Sequence, residues 1–288
     1  MKIGLVVHAG RADSHDAALE AARALDELDV EVVVTVGGDR SEASEELSRL
    51  APFVPPPEFA AQVDLAISFG GDGTFLRAAH LCRDEGVPVL GVNLGRLGFL
   101  AEVERHDLGP ALRAVAAGEH RIEERATLEM EVHSPDGTLL ATDWALNEVA
   151  VEKTVRQRLL LVDVHLDGTF FAQVPADALI LATATGSTAY ALSAGGPIVS
   201  PQVATTLVVP VAPHSLFDRT VLAAPDEVVR VELLENQANG LVSCDGRDPI
   251  EVVPGSSVTV VATGRPVRLA RVGLIDFPTL VRRKFGLR

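Results

Sequence analysis

The chain has 288 residues, which at roughly 150 residues per domain predicts two domains. With 47% hydrophobic and 23% charged residues it has the composition of a globular protein that buries a core, which excludes intrinsic disorder, collagen-like repeats and a disulfide-stapled miniprotein. Twenty-five Lys and Arg against 40 Asp and Glu give a formal charge of −15, so no broad basic face for nucleic acid or an anionic membrane is expected, and any phosphate must be met locally by amides, a few arginines or a metal.

In chain order, residues 3–7 form the short apolar run of a strand buried on both faces, and 14–28 carry apolar residues at helical spacing. A second strand is predicted over 30–36, a helix over 42–50, a proline-rich break at 52–57 and a third strand over 63–69. A glycine-rich turn then leads into a helix over 74–83, followed by a strand over 87–92 and a helix over 108–118. This alternation implies βαβ units with right-handed crossovers in a doubly wound sheet. Near residue 120 the texture becomes mainly β. Turns at Pro135-Asp136-Gly137 and Asp167-Gly168 predict hairpins, and strands follow at 228–234, 241–244 and 257–261. A short helix is expected over 278–285.

Cys82 and Cys244 lie far apart with no CxxC spacing, so both are read as buried or idle thiols. The apolar start is too short for a signal segment and no later run approaches a membrane span, so the expected setting is soluble and cytoplasmic.

Phe69-Gly70-Gly71-Asp72-Gly73-Thr74 stands where a buried strand meets a helix, the carboxyl edge at which open α/β sheets bind ligands. The glycines allow a phosphate close to the backbone, and the helix start offers free amides. An aspartate there fits a group that accepts a proton from an attacking hydroxyl or helps hold a metal bridging phosphates; the plainer alternative is a helix cap. Gly37-Gly38-Asp39 lacks the following Gly-Thr and reads as a turn, the glycines at 91, 95 and 98 lack GxGxxG spacing, and there is no Walker A sequence. Asn147-Glu148 pairs an amide with a carboxylate, suited to sugar hydroxyls or an adenine edge, or else is surface polarity at a strand start. The segment 183–190, Thr-Ala-Thr-Gly-Ser-Thr-Ala-Tyr, clusters small hydroxyls around Gly186 and holds the only tyrosine, Tyr190, fit to stack on a ring. The histidines at 8, 80, 133, 165 and 214 show no metal-site spacing.

Taken together, Gly70-Gly71-Asp72-Gly73-Thr74, Asn93-x-Gly95-x-Leu97-Gly98-Phe99-Leu100, Asn147-Glu148, Thr185-Gly186-Ser187-Thr188-Ala189-Tyr190, Ser193-Ala194-Gly195-Gly196-Pro197, Pro213-His214 and Asp245-Gly246 resemble the ATP-dependent NAD kinases over most of the chain. The resemblance implies a Rossmann-like (phosphofructokinase-like) α/β domain over 1–120, on which the tail 265–288 packs back, and a β-sandwich-like, NAD-binding domain over 121–264. It further implies phosphorylation of the 2′-hydroxyl of the adenosine ribose of NAD, with ATP as donor and a divalent cation, expected to be Mg2+. Asp72 would then be the general base. Gly70, Gly71, Gly73 and Thr74 would shape the phosphate loop, and Arg77, Asn147, Glu148, Arg158 and Asp177 would contact nucleotide. Thr188, Ala189, Tyr190, Ala191, Leu192 and Ser193 would close the pocket, partly with a neighbouring subunit of a homodimer or homotetramer. A lipid kinase sharing the glycine turn and a non-catalytic NAD(P) sensor are the alternatives. The chain departs from the family in Ala184, where proline is usual, in Ala176 and Ala178, where glycines flank the aspartate, and in Arg247, where glutamine is common.

Overall fold

The computed structural model describes residues 1–8, 10–36, 45–95, 98–215, 218–235, 237–273 and 275–288. The expected turn at Gly37-Gly38-Asp39 and residues Arg96 and Leu97 of the glycine-rich segment lie outside them. The chain forms two compact units, Met1–Glu124 with Val267–Arg288, and Arg125–Pro266.

The first unit begins with β1 (Lys2–Val7), α1 (Ala12–Asp26), β2 (Glu31–Val36), α2 (Glu45–Leu50), the single turn α3 (Pro56–Phe59), β3 (Leu65–Gly70), α4 (Asp72–Cys82), β4 (Val89–Asn93), β5 (Val103–Glu104), α5 (Leu108–Ala116) and β6 (Arg121–Arg125). β1 pairs in parallel with both β2 and β3, and β3 with β4, giving the order β2-β1-β3-β4. Helices cover both faces of this sheet, which is why its strands read as unbroken apolar runs. Ile3, Leu5 and Val7 pack with Ala17, Ala21 and Leu25 of α1 and with Leu108 and Leu112 of α5. On the opposite face Gly4 lies against the Phe59 ring, which occupies the space a side chain would need. The order reverses between β1 and β3, so the turn after β3 sits at a topological switch point, where such sheets bind ligands.

The second unit contains β7 (Leu128–His133), β8 (Leu139–Ala145), β9 (Glu148–Lys153), β10 (Leu160–Leu166), β11 (Thr169–Ala176), β12 (Ala178–Thr183), the single turn α6 (Tyr190–Ser193), β13 (Thr206–Val211), β14 (Val221–Ala223), β15 (Val229–Leu233), β16 (Gly240–Cys244), β17 (Ile250–Val252) and β18 (Ser257–Val261). They build two antiparallel six-stranded sheets, ordered β11-β10-β15-β18-β7-β8 and β14-β13-β12-β9-β16-β17. Alternate residues of both sheets, among them Met130, Val162, Val231 and Val260 from one and Val149, Leu181 and Val242 from the other, share one core. Each such fully buried side chain contributes about 1.5–3 kcal/mol. The second sheet is apolar on its outer face as well, where Ile180, Ala182, Leu207 and Val209 pack with Ala191 and Val199. The fold is thus an α/β unit plus an all-β, sandwich-like unit.

Both predicted hairpins are present. Asp167 (φ 47°) and Gly168 (φ 75°) form the two-residue turn between β10 and β11. Ala176 and Ala178 both lie in strands and neither has positive φ, so the usual glycines are not needed there for backbone freedom. The chain then returns to the first unit through β19 (Val267–Arg271), inserted between β4 and β6, and ends in α7 (Phe277–Phe285). Asp276 caps α7 by accepting from Thr279 N at 2.8 Å, and Gly286 closes it at φ 62°. The tail helix was expected and β19 was not: its Val-Arg-Leu-Ala-Arg sequence resembles exposed alternation, whereas Arg271 is buried by ion pairing.

Candidate active site

The candidate residues fall into two groups, one in each unit. In the first, β3 ends at Gly70 and α4 starts at Asp72 with Gly71 as its N-cap in extended conformation. No side chain caps this helix, so the helix-cap reading of Asp72 does not hold. The carboxylate turns instead to the segment after β4, accepting from Phe99 N at 2.9 Å and from Leu100 N at 3.1 Å, one amide on each oxygen. Each oxygen keeps a second lone pair for a proton or a hydroxyl. Gly98 must lack a side chain, because a Cβ there would land on the Asp72 carboxylate.

The other glycines divide by task. A Cβ on Gly70 would strike the Thr74 side chain, whereas Gly71 and Gly73 face open space, leaving room beside the amides that begin α4. Asn93 holds the turn after β4 by accepting from Gly95 N at 3.2 Å, and Leu94 N donates to Gly70 O at 3.2 Å. Arg77 is exposed on α4 and has no ion pair among the described residues.

In the second group the organiser is Asp245, in the turn after β16. Its carboxylate accepts from three successive amides, Leu146 at 2.8 Å, Asn147 at 2.7 Å and Glu148 at 3.1 Å. Asp245 (φ 51°) and Gly246 (φ 67°) both take the left-handed conformation that aims the carboxylate back at them. The Thr183 hydroxyl donates to Leu146 O at 2.6 Å and accepts from Gly186 N at 3.0 Å. Gly186 is required because a side chain would run into the Asn147 carbonyl.

So fixed, Asn147 and Glu148 are buried, which removes the reading of them as surface polarity at a strand start. Glu148 Oε2 has no protein partner. Burial foremost, and then the charge of Asp245, push its carboxyl up to about 7 against the opposing pull of the Tyr190 N–H. The Tyr190 hydroxyl donates to Glu152 Oε1 at 3.3 Å, and burial followed by the Glu152 charge raises its phenol above the ordinary value, keeping it a donor at neutral pH. Asp177, also felt by Tyr190, is ion-paired with Lys153. Glu152 carries no motif signal and was not expected in this cluster.

Several of the expected residues also make contacts within the fold. Thr185 accepts from Arg125 at 3.3 Å, Ser187 exchanges hydrogen bonds with the Val199 backbone at 2.9 and 3.3 Å, and Thr188 donates to Thr185 O at 3.1 Å. Ala191 faces the apolar cluster on the outer sheet surface, Ala189 and Leu192 are half-buried, and Ser193 and Tyr190 are exposed. Arg158 is exposed in the loop after β9, and His214 is exposed with its N–H donating to Pro175 O at 2.7 Å. Arg247 ion-pairs with Asp143 at 2.8 Å and its guanidinium lies 5.7 Å from the centroid of the Trp144 ring. Cys82 and Cys244 are buried free thiols, and burial raises Cys82 to about 12.

A carboxylate clamped by two amides beside the open start of a helix, at the switch point of a parallel sheet, has the chemistry of a phosphotransferase whose acceptor is a hydroxyl. The model of the ATP-NAD kinase N-terminal domain matches residues 3–120 and that of the ATP-NAD kinase C-terminal domain matches residues 146–272. The chain is 41% identical to the NAD kinase of Thermobifida fusca, across 98% of this chain and 88% of the relative, and 45% identical to NAD kinase 2 of Streptomyces coelicolor, across 80% and 76%. Among solved structures, yeast NADH kinase complexed with NADH superposes with TM-score 0.88 at 25% identity, covering all of this chain and 88% of that one. An NAD kinase from Archaeoglobus fulgidus in complex with ATP gives 0.74 at 25% identity, covering all of this chain and 98% of that one. The chain belongs to the ATP-NAD kinase family.

Proposed function

We propose that this protein transfers the γ-phosphoryl group of ATP to the 2′-hydroxyl of the adenosine ribose of NAD, giving NADP and ADP, with Asp72 as general base. The observation that carries this reading is the Asp72 carboxylate, oriented by Phe99 N–H and Leu100 N–H with a lone pair left on each oxygen. In the transfer an Asp72 oxygen takes the hydroxyl proton, the 2′-oxygen forms the new bond to the γ-phosphorus, and the β,γ-bridging oxygen leaves with its electron pair on ADP. Gly70, Gly71, Gly73, Thr74 and Arg77 serve the phosphates. Asn147 and Glu148 take dinucleotide hydroxyls or amine edges, Arg158 and Asp177 contact the same ligand, and the Thr188–Ser193 run covers it, with Tyr190 stacking. The NADH-bound and ATP-bound relatives support a dinucleotide acceptor and ATP as donor.

The divalent cation, expected to be Mg2+, belongs with the donor. Such a cation would be held by one carboxylate, that of Asp72, together with the donor phosphates, and would neutralise charge on them. The reading also makes the protein cytoplasmic and a homodimer or homotetramer, on the strength of composition and family. A lipid acceptor is the weaker alternative, since the matched relatives are named NAD kinases and the charge is −15.

Asp72→Asn is expected to stay folded and bind NAD while turnover falls about a hundredfold or more. Incubation with ATP, magnesium and NAD, with NADP read by an NADP-specific dehydrogenase, checks it; near-normal NADP production would remove Asp72 from the chemistry.

A further inference from the structure

The amides that hold Asp72 lie on a segment that the far end of the chain holds in turn. The Phe99 ring lies 6.4 Å from the Phe285 ring, centroid to centroid and tilted by 42°, and the Lys284 ammonium lies 5.1 Å from the same ring. Both residues come from the last turn of α7. From β19, the buried Arg271 donates to Leu100 O at 3.4 Å and to Glu102 Oε2 at 3.1 Å, while its Nε donates to Glu123 Oε2 at 2.9 Å. Glu102 Oε1 accepts from Val272 N at 2.8 Å and Gly273 N at 3.0 Å. The segment from Phe99 to Glu102 is therefore held by Arg271 at Leu100 O and at the Glu102 carboxylate, and by α7 at the Phe99 ring.

We propose that α7 is a positioning element for catalysis: Phe285, with Lys284, fixes Phe99 so that its N–H holds the Asp72 carboxylate in the orientation that accepts the proton. This rests on the reading of Asp72 as general base. Rotation of the Phe99 backbone would swing one of the two donors away from Asp72 and leave the carboxylate held at one oxygen only. α7 has no fully buried residue, and its last turn meets the segment whose amides hold Asp72.

Phe285 is 44% exposed, so Phe285→Ala leaves the fold intact, which a thermal melt checks, and Phe285→Leu takes its place if the melt is broadened. Misplacement of a reacting group by about 1 Å costs on the order of a hundredfold. Loosening one of two donors is therefore expected to lower kcat about tenfold, with KM for NAD and for ATP within about twofold of the parent. Phe285→Tyr keeps the ring and restores kcat, and Leu287→Ala, two residues on and exposed, changes nothing. In an Asp72→Asn background Phe285→Ala causes no further loss, because its effect runs only through Asp72. An unchanged kcat in Phe285→Ala, or a tenfold loss that persists in the Asp72→Asn background, overturns the proposal. The Asp72→Asn variant by itself separates the two readings: near-normal turnover there overturns the role of Asp72 and this brace with it, whereas a slow Asp72→Asn beside a normal Phe285→Ala overturns the brace alone.

Discussion

Glu148 shows how burial couples one carboxyl to the pH dependence of stability. Its carboxyl lies at about 7 instead of the ordinary 4.5, so between these values the folded protein keeps a proton that the unfolded chain releases. Stability therefore falls as pH rises through this window and levels off above about pH 7, by a total on the order of 3 kcal/mol. Glu148→Gln removes the titration: its stability should match the parent near pH 4.5 and exceed it by up to about 3 kcal/mol at pH 8, with NAD affinity lost in exchange. Urea unfolding at several pH values checks this, and a variant that keeps the parent's pH slope refutes it. The identity of this residue was legible in the sequence beside Asn147, but its burial was not. The same holds for Asp72: the glycine turn marked it, whereas the Phe99 and Leu100 amides that hold it carry no side-chain signature. Gly98, vacant because a Cβ would strike the carboxylate, was the only local trace of that contact.

At the level of elements, short turns do the positioning. The turn carrying Asp245 gathers the amides of 146–148 at the start of β9, and Thr183 and Gly186 close on the same stretch from the end of β12. Asp245→Ala would leave three amides without their charged acceptor and force a left-handed φ on alanine. The expected cost is about 3 kcal/mol or more, with NAD affinity falling at least about tenfold. Asp245→Asn, which tolerates the φ and keeps one acceptor oxygen, should fall between; melting and NAD titration rank the three proteins, and equal stability of all three would rule out the clamp. Turns of this kind are where the sequence was most informative, because Asp167-Gly168 and the glycine turn after β3 advertise their backbone conformation. Strands closed by charge were least visible. β6, Arg-Ile-Glu-Glu-Arg, has no apolar pattern, and its place in the sheet depends on Glu123 meeting Arg271 from a strand nearly 150 positions later in sequence.

For the molecule as a whole, the decisive feature is that one unit is continuous in sequence and the other is not. Residues 125–266 contain both sheets of the sandwich and their shared core, so this fragment expressed alone should unfold cooperatively. Deleting 267–288 should leave that transition nearly intact while abolishing the other, since β4 loses its neighbour β19, Leu269 and Ala270 leave the core, and a bare edge replaces them. Calorimetry of the truncated chain distinguishes these outcomes, and a surviving second transition would contradict them. The order in which a ribosome emits the chain then matters. The first 124 residues leave the tunnel early yet cannot finish their sheet until β19 follows, by which time the sandwich, synthesised in between, has been emitted. A chain stalled before residue 267 thus carries an Asp72 whose holding segment lacks both Arg271 and α7.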